Sequence, residues 1–266
     1  RSPDATRIIY KCTRGFLRLS HHINLAAVSK EQKLSFYATP PHDCNYLPDQ
    51  SAITLFADPY FPKNIRLYSA LADCGFRRSG EHLYVPHCDN CSSCIPVRIP
   101  VSEFTPSRNQ KRTLKKNRDM VINKLEADFN KEHFSLYEKY LLCRHASGGM
   151  DNPNPENYMQ FLSANWADTI FYEMRRREDN KLMAVAVVDI MENALSAIYT
   201  FFDPAYSSLS LGRFAVLYEI QEAQKMGLEW LYLGYWIKAC KKMNYKNEYR
   251  PMEYYRNNEW IRDLDQ

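Results

Sequence analysis

Three cysteines set two residues apart, Cys88, Cys91 and Cys94, bring thiolates to a loop spacing at which they can share one metal centre. Steps of C-x2-C serve zinc and iron–sulfur sites alike, so spacing does not choose between the two. A fourth thiolate would complete the set, and Cys44 and Cys74 both stand in the same part of the chain. Of the eight cysteines, Cys12, Cys143 and Cys240 are scattered. A chain of 266 residues does not need disulfides to bury a core, so the thiols are expected to stay reduced.

Charge points to a second chemistry. Lys and Arg number 35 against 31 Asp and Glu, a net charge of only +4. Yet Arg108, Lys111, Arg112, Lys115, Lys116 and Arg118 follow Ser107 with no acid among them. A second stretch holds Lys238, Lys241, Lys242, Lys246, Arg250 and Arg256 against Glu248 and Glu253. Two basic segments on a near-neutral body suit a polyanion such as RNA, bound through its phosphates with little reading of sequence. The 19 tyrosines offer rings on which unpaired nucleotides can stack.

Other chemistries lack their residues. No G-x-S-x-G elbow is present, so a covalent triad finds no support. His42, His82 and His87 read as structural. The longest apolar run, Leu182–Val188, is ended by Asp189 and falls short of the roughly 20 residues a spanning helix needs. Ile23–Val28 is too short for the core of a secretion signal, and the protein is expected to be cytoplasmic.

These residues must be positioned by elements whose pattern is readable. Residues 1–33 have weak periodicity and read as an extension. From 34 to 119 the chain reads as a Cys-rich N-terminal α/β domain. Pro62 and the apolar positions Ile65, Leu67, Tyr68 and Leu71 predict a helix stopped at Gly75. Strands are expected at His82–Val85 and Val97–Val101, flanking the Cys loop, and the basic run from Arg108 to Arg118 is expected as a surface helix. From 120 to 266 the pattern is α+β: a short strand Val121–Leu125, a helix carrying Phe134, Tyr137 and Leu141 and ending near Gly148–Gly149, then a helix through Tyr158–Leu162. Strands Thr169–Met174, Leu182–Ile190 and Leu195–Phe202 follow. A turn at Asp203–Pro204, a long helix Leu211–Met226 stopped by Gly227, and a strand Glu229–Leu233 complete the pattern.

Several ordered motifs carry a resemblance. They are Pro41 to Leu47 (Pro-His-Asp-Cys-Asn-Tyr-Leu), Gly75 to Gly80 (Gly-Phe-Arg-Arg-Ser-Gly), the cysteine triplet continuing through Ile95 to Arg98, and Pro106 to Arg112. Further on come Tyr199, Phe202, Asp203, Pro204 and Tyr206, then Ser210 to Gly212, Leu233 to Ile237, and Lys242, Met243, Tyr245, Lys246, Tyr249 and Pro251. In this order they resemble the aminoacyl-tRNA–protein transferases of the arginyltransferase superfamily, over about Phe36 to Arg256. The chain's length and N-terminal motifs resemble the bacterial aspartate/glutamate leucyltransferase branch.

The resemblance implies transfer of leucine from leucyl-tRNA to the N-terminal α-amine of proteins beginning with Asp or Glu, which creates an N-degron for degradation. Arginyl transfer is the alternative within the family. A noncatalytic RNA-binding protein with a Cys metal knuckle is the alternative from a different class. The C-terminal half is similar to GNAT acyltransferases. The ester is already activated, so the reaction needs no cofactor; positioning, oxyanion donors and removal of one proton suffice. A GNAT splay would place its reacting groups at Gly234–Trp236, making Tyr235 a candidate donor or proton relay, with Asp203 a candidate base. The phosphate loop of a CoA enzyme would fall at Ser207–Gly212, which has a single glycine, so CoA is not expected as a partner. Arg77, Arg78 and Arg98 are the candidate readers of the acceptor's carboxylate. Arg108, Lys111, Arg112, Lys115 and Lys116 are the candidate tRNA contacts. The resemblance favours Cys44 as the fourth ligand with Cys88, Cys91 and Cys94, for an iron–sulfur cluster or zinc.

Overall fold

In the computed structural model, which describes residues 7–8, 34–144 and 153–262, the apolar run Leu182–Ile190 is an interior strand of an eight-stranded sheet. Alternate residues of this strand serve opposite faces. Val185 and Val187 pack beneath Leu136, Tyr137, Tyr158 and Leu162, while Ala184, Ala186 and Val188 meet Leu211, Phe214 and Ala215. A strand covered on both sides has no polar face, which is why it reads as a continuous apolar run.

The strands are β1 (Arg7–Ile8), β2 (Phe36–Ala38), β3 (His42–Asp43), β4 (Ser51–Ala52), β5 (Thr54–Ala57), β6 (Arg77–Ser79), β7 (His82–Pro86) and β8 (Ile95–Pro100). They continue as β9 (Met120–Glu126), β10 (Asp168–Arg176), β11 (Leu182–Ile190), β12 (Ala194–Phe202), β13 (Trp230–Trp236), β14 (Glu253–Arg256) and β15 (Glu259–Arg262). The helices are α1 (Ile65–Asp73), α2 (Arg108–Lys116), α3 (Lys131–Arg144), α4 (Pro155–Leu162) and α5 (Leu211–Lys225). The expected C-terminal elements are all present. The helix end at Gly148–Gly149 and most of the 1–33 extension lie outside the described residues.

The large sheet runs β15-β14-β8-β13-β12-β11-β10-β9, and a five-stranded sheet runs β1-β2-β5-β7-β6. Strand β8 therefore corrects the division at 119/120. It lies between β13 and β14 in the C-terminal sheet, and its residues Ile95, Val97 and Ile99 share a core with Leu231 and Leu233. The small sheet and α1 close against the large sheet through Tyr68, Leu71 and Phe76, which pack with Met191, Ala194 and Tyr232. The two parts share cores, and the mixed α+β architecture is as the sequence reads.

One junction breaks the antiparallel pattern of the large sheet. Strands β12 and β13, joined by α5, run parallel and pair only from Ala194–Ser196 to Trp230–Tyr232. Both strands continue beyond that point, β12 to Phe202 and β13 to Trp236, without pairing further. Irregularities sit beside the divergence, in the β11–β12 register and between Tyr232 and Gly234. Bulges turn strands away from a partner, and here the result is the splay expected of a GNAT-like half.

Candidate active site

The splay is filled from the small sheet. Arg77 on β6 sends its guanidinium across to the large sheet, donating to Ser196 Oγ at 3.0 Å and to the Ala197 carbonyl. The Tyr68 hydroxyl donates to the same Ser196 Oγ at 3.0 Å. On the opposite strand, Gly234 has φ +79, and a Cβ there would lie 3.2 Å from Arg77 Nε. Glycine at 234 thus provides both the backbone conformation and the space for the guanidinium. Of the three candidate arginines, Arg77 is the one whose hydrogen bonds among the described residues go to neutral groups.

The other two arginines are committed to the fold, which corrects their assignment as acid readers. Arg78 grips Asp189 with two bonds of 2.5 and 2.8 Å and donates to the Leu162 and Gly80 carbonyls, with both side chains of the ion pair fully buried. Arg98 pairs with Glu253 at 2.8 Å and Asp73 at 2.9 Å, and its guanidinium lies between the rings of Trp230 and Trp260. Neither has a free bidentate edge for a substrate carboxylate.

The candidate acid–base residues are likewise redirected. Tyr235 is buried, and its hydroxyl donates toward the carbonyls of Gly75 and Tyr84, both at 3.2 Å. Burial pushes its pKa well above the usual phenol value. Its single proton is shared between these two carbonyls and ties β13 to β7 and to the end of α1. Asp203 caps the turn through the Ala205 amide and pairs with Lys139 at 2.6 Å and Lys181 at 3.2 Å. Burial alone would raise its carboxyl, but these donors together hold it below the ordinary value, which makes it a poor base.

Two buried groups below the splay complete the cluster. Lys246 Nζ donates to the Tyr235 carbonyl at 2.8 Å; desolvation, with the Arg77 charge adding to it, brings its pKa down to about 7. Glu219 on α5 is fully buried with neither carboxyl oxygen hydrogen-bonded among the described residues, and desolvation raises it to about 8 against the opposing pull of Arg77. Both were passed over at the level of sequence. Glu219 had a visible signal, since it occupies the stripe Leu211, Ala215, Glu219, Ala223 on which every other residue is apolar. Lys246 had only its place in the Lys242–Tyr249 motif.

The four cysteines do converge. Cys44, Cys88, Cys91 and Cys94 line one cavity of about 210 Å³ that also has Tyr84 and Tyr235 in its wall. Burial, followed by the neighbouring thiols Cys44, Cys88 and Cys91, pushes the Cys94 thiol up to about 12. Cys88 Sγ is engaged with the Ile53 backbone. Among the described residues, however, no three His, Cys, Asp or Glu side chains are grouped so as to hold a metal ion. The set has the donor chemistry of a four-thiolate centre without its arrangement. Cys74, by contrast, is disulfide-bonded, against the expectation of reduced thiols throughout.

The basic segments meet. Helix α2 begins with a capping box between Ser107 and Gln110, and Arg108, Lys111, Arg112, Lys115 and Lys116 stand exposed along it. Lys116 Nζ donates to the Ser208 carbonyl, and the Asn117 amide to Leu209, just before α5. The Gln110 amide donates to the Glu248 carbonyl at 3.1 Å, and Arg213 pairs with the Glu248 carboxylate. The expected tRNA-contacting helix and the second basic stretch thus border one face around the start of α5. Gly212 in the first turn of α5 is accounted for by packing, because a Cβ would lie 3.2 Å from the Phe202 ring. Among the described residues, no helix is long and apolar enough to cross a membrane.

Residues 42–112 match the family described as arginine-tRNA-protein transferase, N terminus, and residues 132–256 match its C terminus. An aspartate/glutamate leucyltransferase of Pseudomonas fluorescens (strain SBW25) is 52% identical over 229 residues, covering 86% of this chain and 97% of that protein. One from Pseudomonas putida (strain GB-1) is 50% identical over the same shares. Among solved structures, FemX is similar with a TM-score of 0.43 and 7% identity, covering 76% of this chain and 79% of that one. The L-PGS of Bacillus licheniformis is similar with a TM-score of 0.43 and 13% identity, covering 64% of this chain and 51% of that one.

Proposed function

The chain belongs to the arginine-tRNA-protein transferase family, and on that premise we propose that it transfers leucine from leucyl-tRNA to the N-terminal α-amine of proteins beginning with Asp or Glu. The donor ester carries its own driving force. The accepting amine, with an ordinary pKa of about 8, is partly neutral at physiological pH. The protein's work is to hold amine and ester together and to supply donors to the oxyanion. Where β12 and β13 part, their facing backbone groups are no longer paired with each other. Such edges can supply oxyanion donors at a fixed position. The tRNA lies along the face shared by α2 and the 238–256 stretch, where exposed cations offer phosphate contacts.

The single observation that carries the acceptor reading is Arg77. A guanidinium bonded, among the described residues, only to a hydroxyl and a carbonyl, and set in the splay, keeps its charge available for an incoming carboxylate. CoA is not part of this scheme: the segment from Ser207 to Gly212 holds one glycine, in the first turn of α5 and used for packing. The reaction belongs in the cytoplasm, where charged tRNA is found, and its product is an N-degron.

Labelled leucyl-tRNA and peptides beginning with Asp, Glu or Ala test the reading. Labelling of the Asp and Glu peptides well above the Ala peptide is expected. Equal labelling of all three removes the acid-reading step, RNA binding without any labelling removes the enzyme, and labelling from arginyl-tRNA alone replaces leucine as the donor group.

A further inference from the structure

Arg77 is not the only cation buried at the splay. Lys246 lies past the end of β13, with its Nζ 2.8 Å from the Tyr235 carbonyl. The Arg77 charge acts directly on it. The two side chains arrive from different parts of the chain, Arg77 from β6 of the small sheet and Lys246 from the segment after β13. Their hydrogen-bond partners among the described residues are a serine hydroxyl and two backbone carbonyls, all neutral. Burial and the neighbouring Arg77 charge hold the Lys246 pKa at about 7, so it is only partly charged in the free protein, and an arriving carboxylate would favour its ammonium form.

The buried acid on which the Arg77 charge acts does not supply a counter-charge. Glu219 is fully buried with neither oxygen hydrogen-bonded among the described residues, and its raised pKa leaves it largely protonated at neutral pH. Other groups facing Lys246 are Cys94 and Cys240, which are thiols. Arg77 and Lys246 keep 8% and 7% of their surface exposed, whereas Glu219 keeps none.

We propose that Arg77 and Lys246 together form the carboxylate site for the acceptor's N-terminal Asp or Glu, with Lys246 as a specificity-determining residue. This rests on the leucyl-transfer reading above. Arg77 provides a planar donor edge and Lys246 a point charge, so one carboxylate can be met from both sides of the splay. The bound carboxylate meets the Arg77 charge and favours the charged form of Lys246. This favours acidic acceptors over shape-matched neutral ones, because a neutral side chain leaves the buried Arg77 charge unpaired and gives Lys246 no anion to pair with.

The test compares peptides beginning with Asp and with Asn, which share a shape and differ in charge. Full-length protein and the variant Lys246→Met are assayed with leucyl-tRNA. Lys246→Met should lower kcat/KM for the Asp peptide at least tenfold, leave the Asn peptide and the KM for leucyl-tRNA nearly unchanged, and so collapse the Asp/Asn ratio. That ratio is read within each variant and does not depend on how much of the protein folds. An equal fall for both peptides would make Lys246 a structural cap on β13, and no fall for either would place the carboxylate elsewhere. Both results overturn the proposal while leaving leucyl transfer intact. A native protein that does not prefer Asp to Asn would overturn the acid-reading premise itself.

Discussion

Gly234 and Arg77 face each other across the point where β12 and β13 separate, with room for the guanidinium only because residue 234 has no side chain. A methyl group there meets Arg77 Nε at 3.2 Å on a backbone held at φ +79. Gly234→Ala should therefore cost about 1–3 kcal/mol of stability. It should also reduce acidic-peptide transfer by displacing Arg77. Thermal melting and kcat/KM on Asp peptides measure the two effects; a variant with native melting and native transfer would show that the contact is not constraining.

Arg78 and Asp189 bind the small sheet to β11, and the pair is fully buried. Removing one partner leaves the other charge stranded, so Asp189→Asn and Arg78→Ala should each destabilise by about 3–5 kcal/mol in urea unfolding. The Asp/Asn acceptor ratio of whatever protein stays folded should be unchanged. A ratio that collapses at normal stability would return Arg78 to the acid-reading role expected from sequence.

The elements of the C-terminal half were legible because each has a strong local signal. The run Leu182–Val188 is apolar on both faces, and Gly227, with φ +70, follows the end of α5. The site was legible only in part. The Arg77–Arg78 pair was noticed, but adjacent residues on a strand point to opposite sides. One side chain enters the splay and the other meets Asp189, 111 positions away in sequence, a partner that no local pattern reveals. The placement of β8 between β13 and β14 is equally non-local, since its pairing residues lie more than a hundred positions downstream. The cysteine triplet foretold convergence on one cavity but not the orientation of the thiols, because spacing along a loop does not fix side-chain direction.

Glu219 should make stability fall with rising pH. Its carboxyl is raised from 4.5 to about 8 by burial, so the folded state holds a proton that the unfolded state releases. The contribution is complete below pH 4.5 and is lost as pH rises toward 8, at about 1.4 kcal/mol per pH unit. Glu219→Gln carries no such proton. Its stability relative to the native protein should increase between pH 5 and pH 8 when both are followed by denaturant unfolding. A constant difference across that range would mean that Glu219 is ionised in the folded protein.

The basic face should reveal itself through salt. Helix α2 and the stretch around Glu248 are tied by the Gln110 bond, so cations from two distant segments border a single surface. If that surface carries the tRNA, each lost phosphate contact removes one set of released counterions, and the slope of log affinity against log salt falls by about one unit or slightly less. Lys111→Ala with Arg112→Ala should weaken binding of charged tRNAs of every sequence and flatten the slope by about two. Lys241→Ala with Lys242→Ala should do the same, because these lysines are exposed on the second segment. Lys225 is the control. It is exposed but paired with Glu222 at the far end of α5, about 20 Å along the helix from the turn that α2 contacts. Lys225→Ala should leave the slope unchanged. Filter binding of leucyl-tRNA across a salt series separates the outcomes. A slope altered by the α2 pair alone would confine the contact to that helix, and a slope altered by neither pair would make the face a solvated surface and move the tRNA elsewhere.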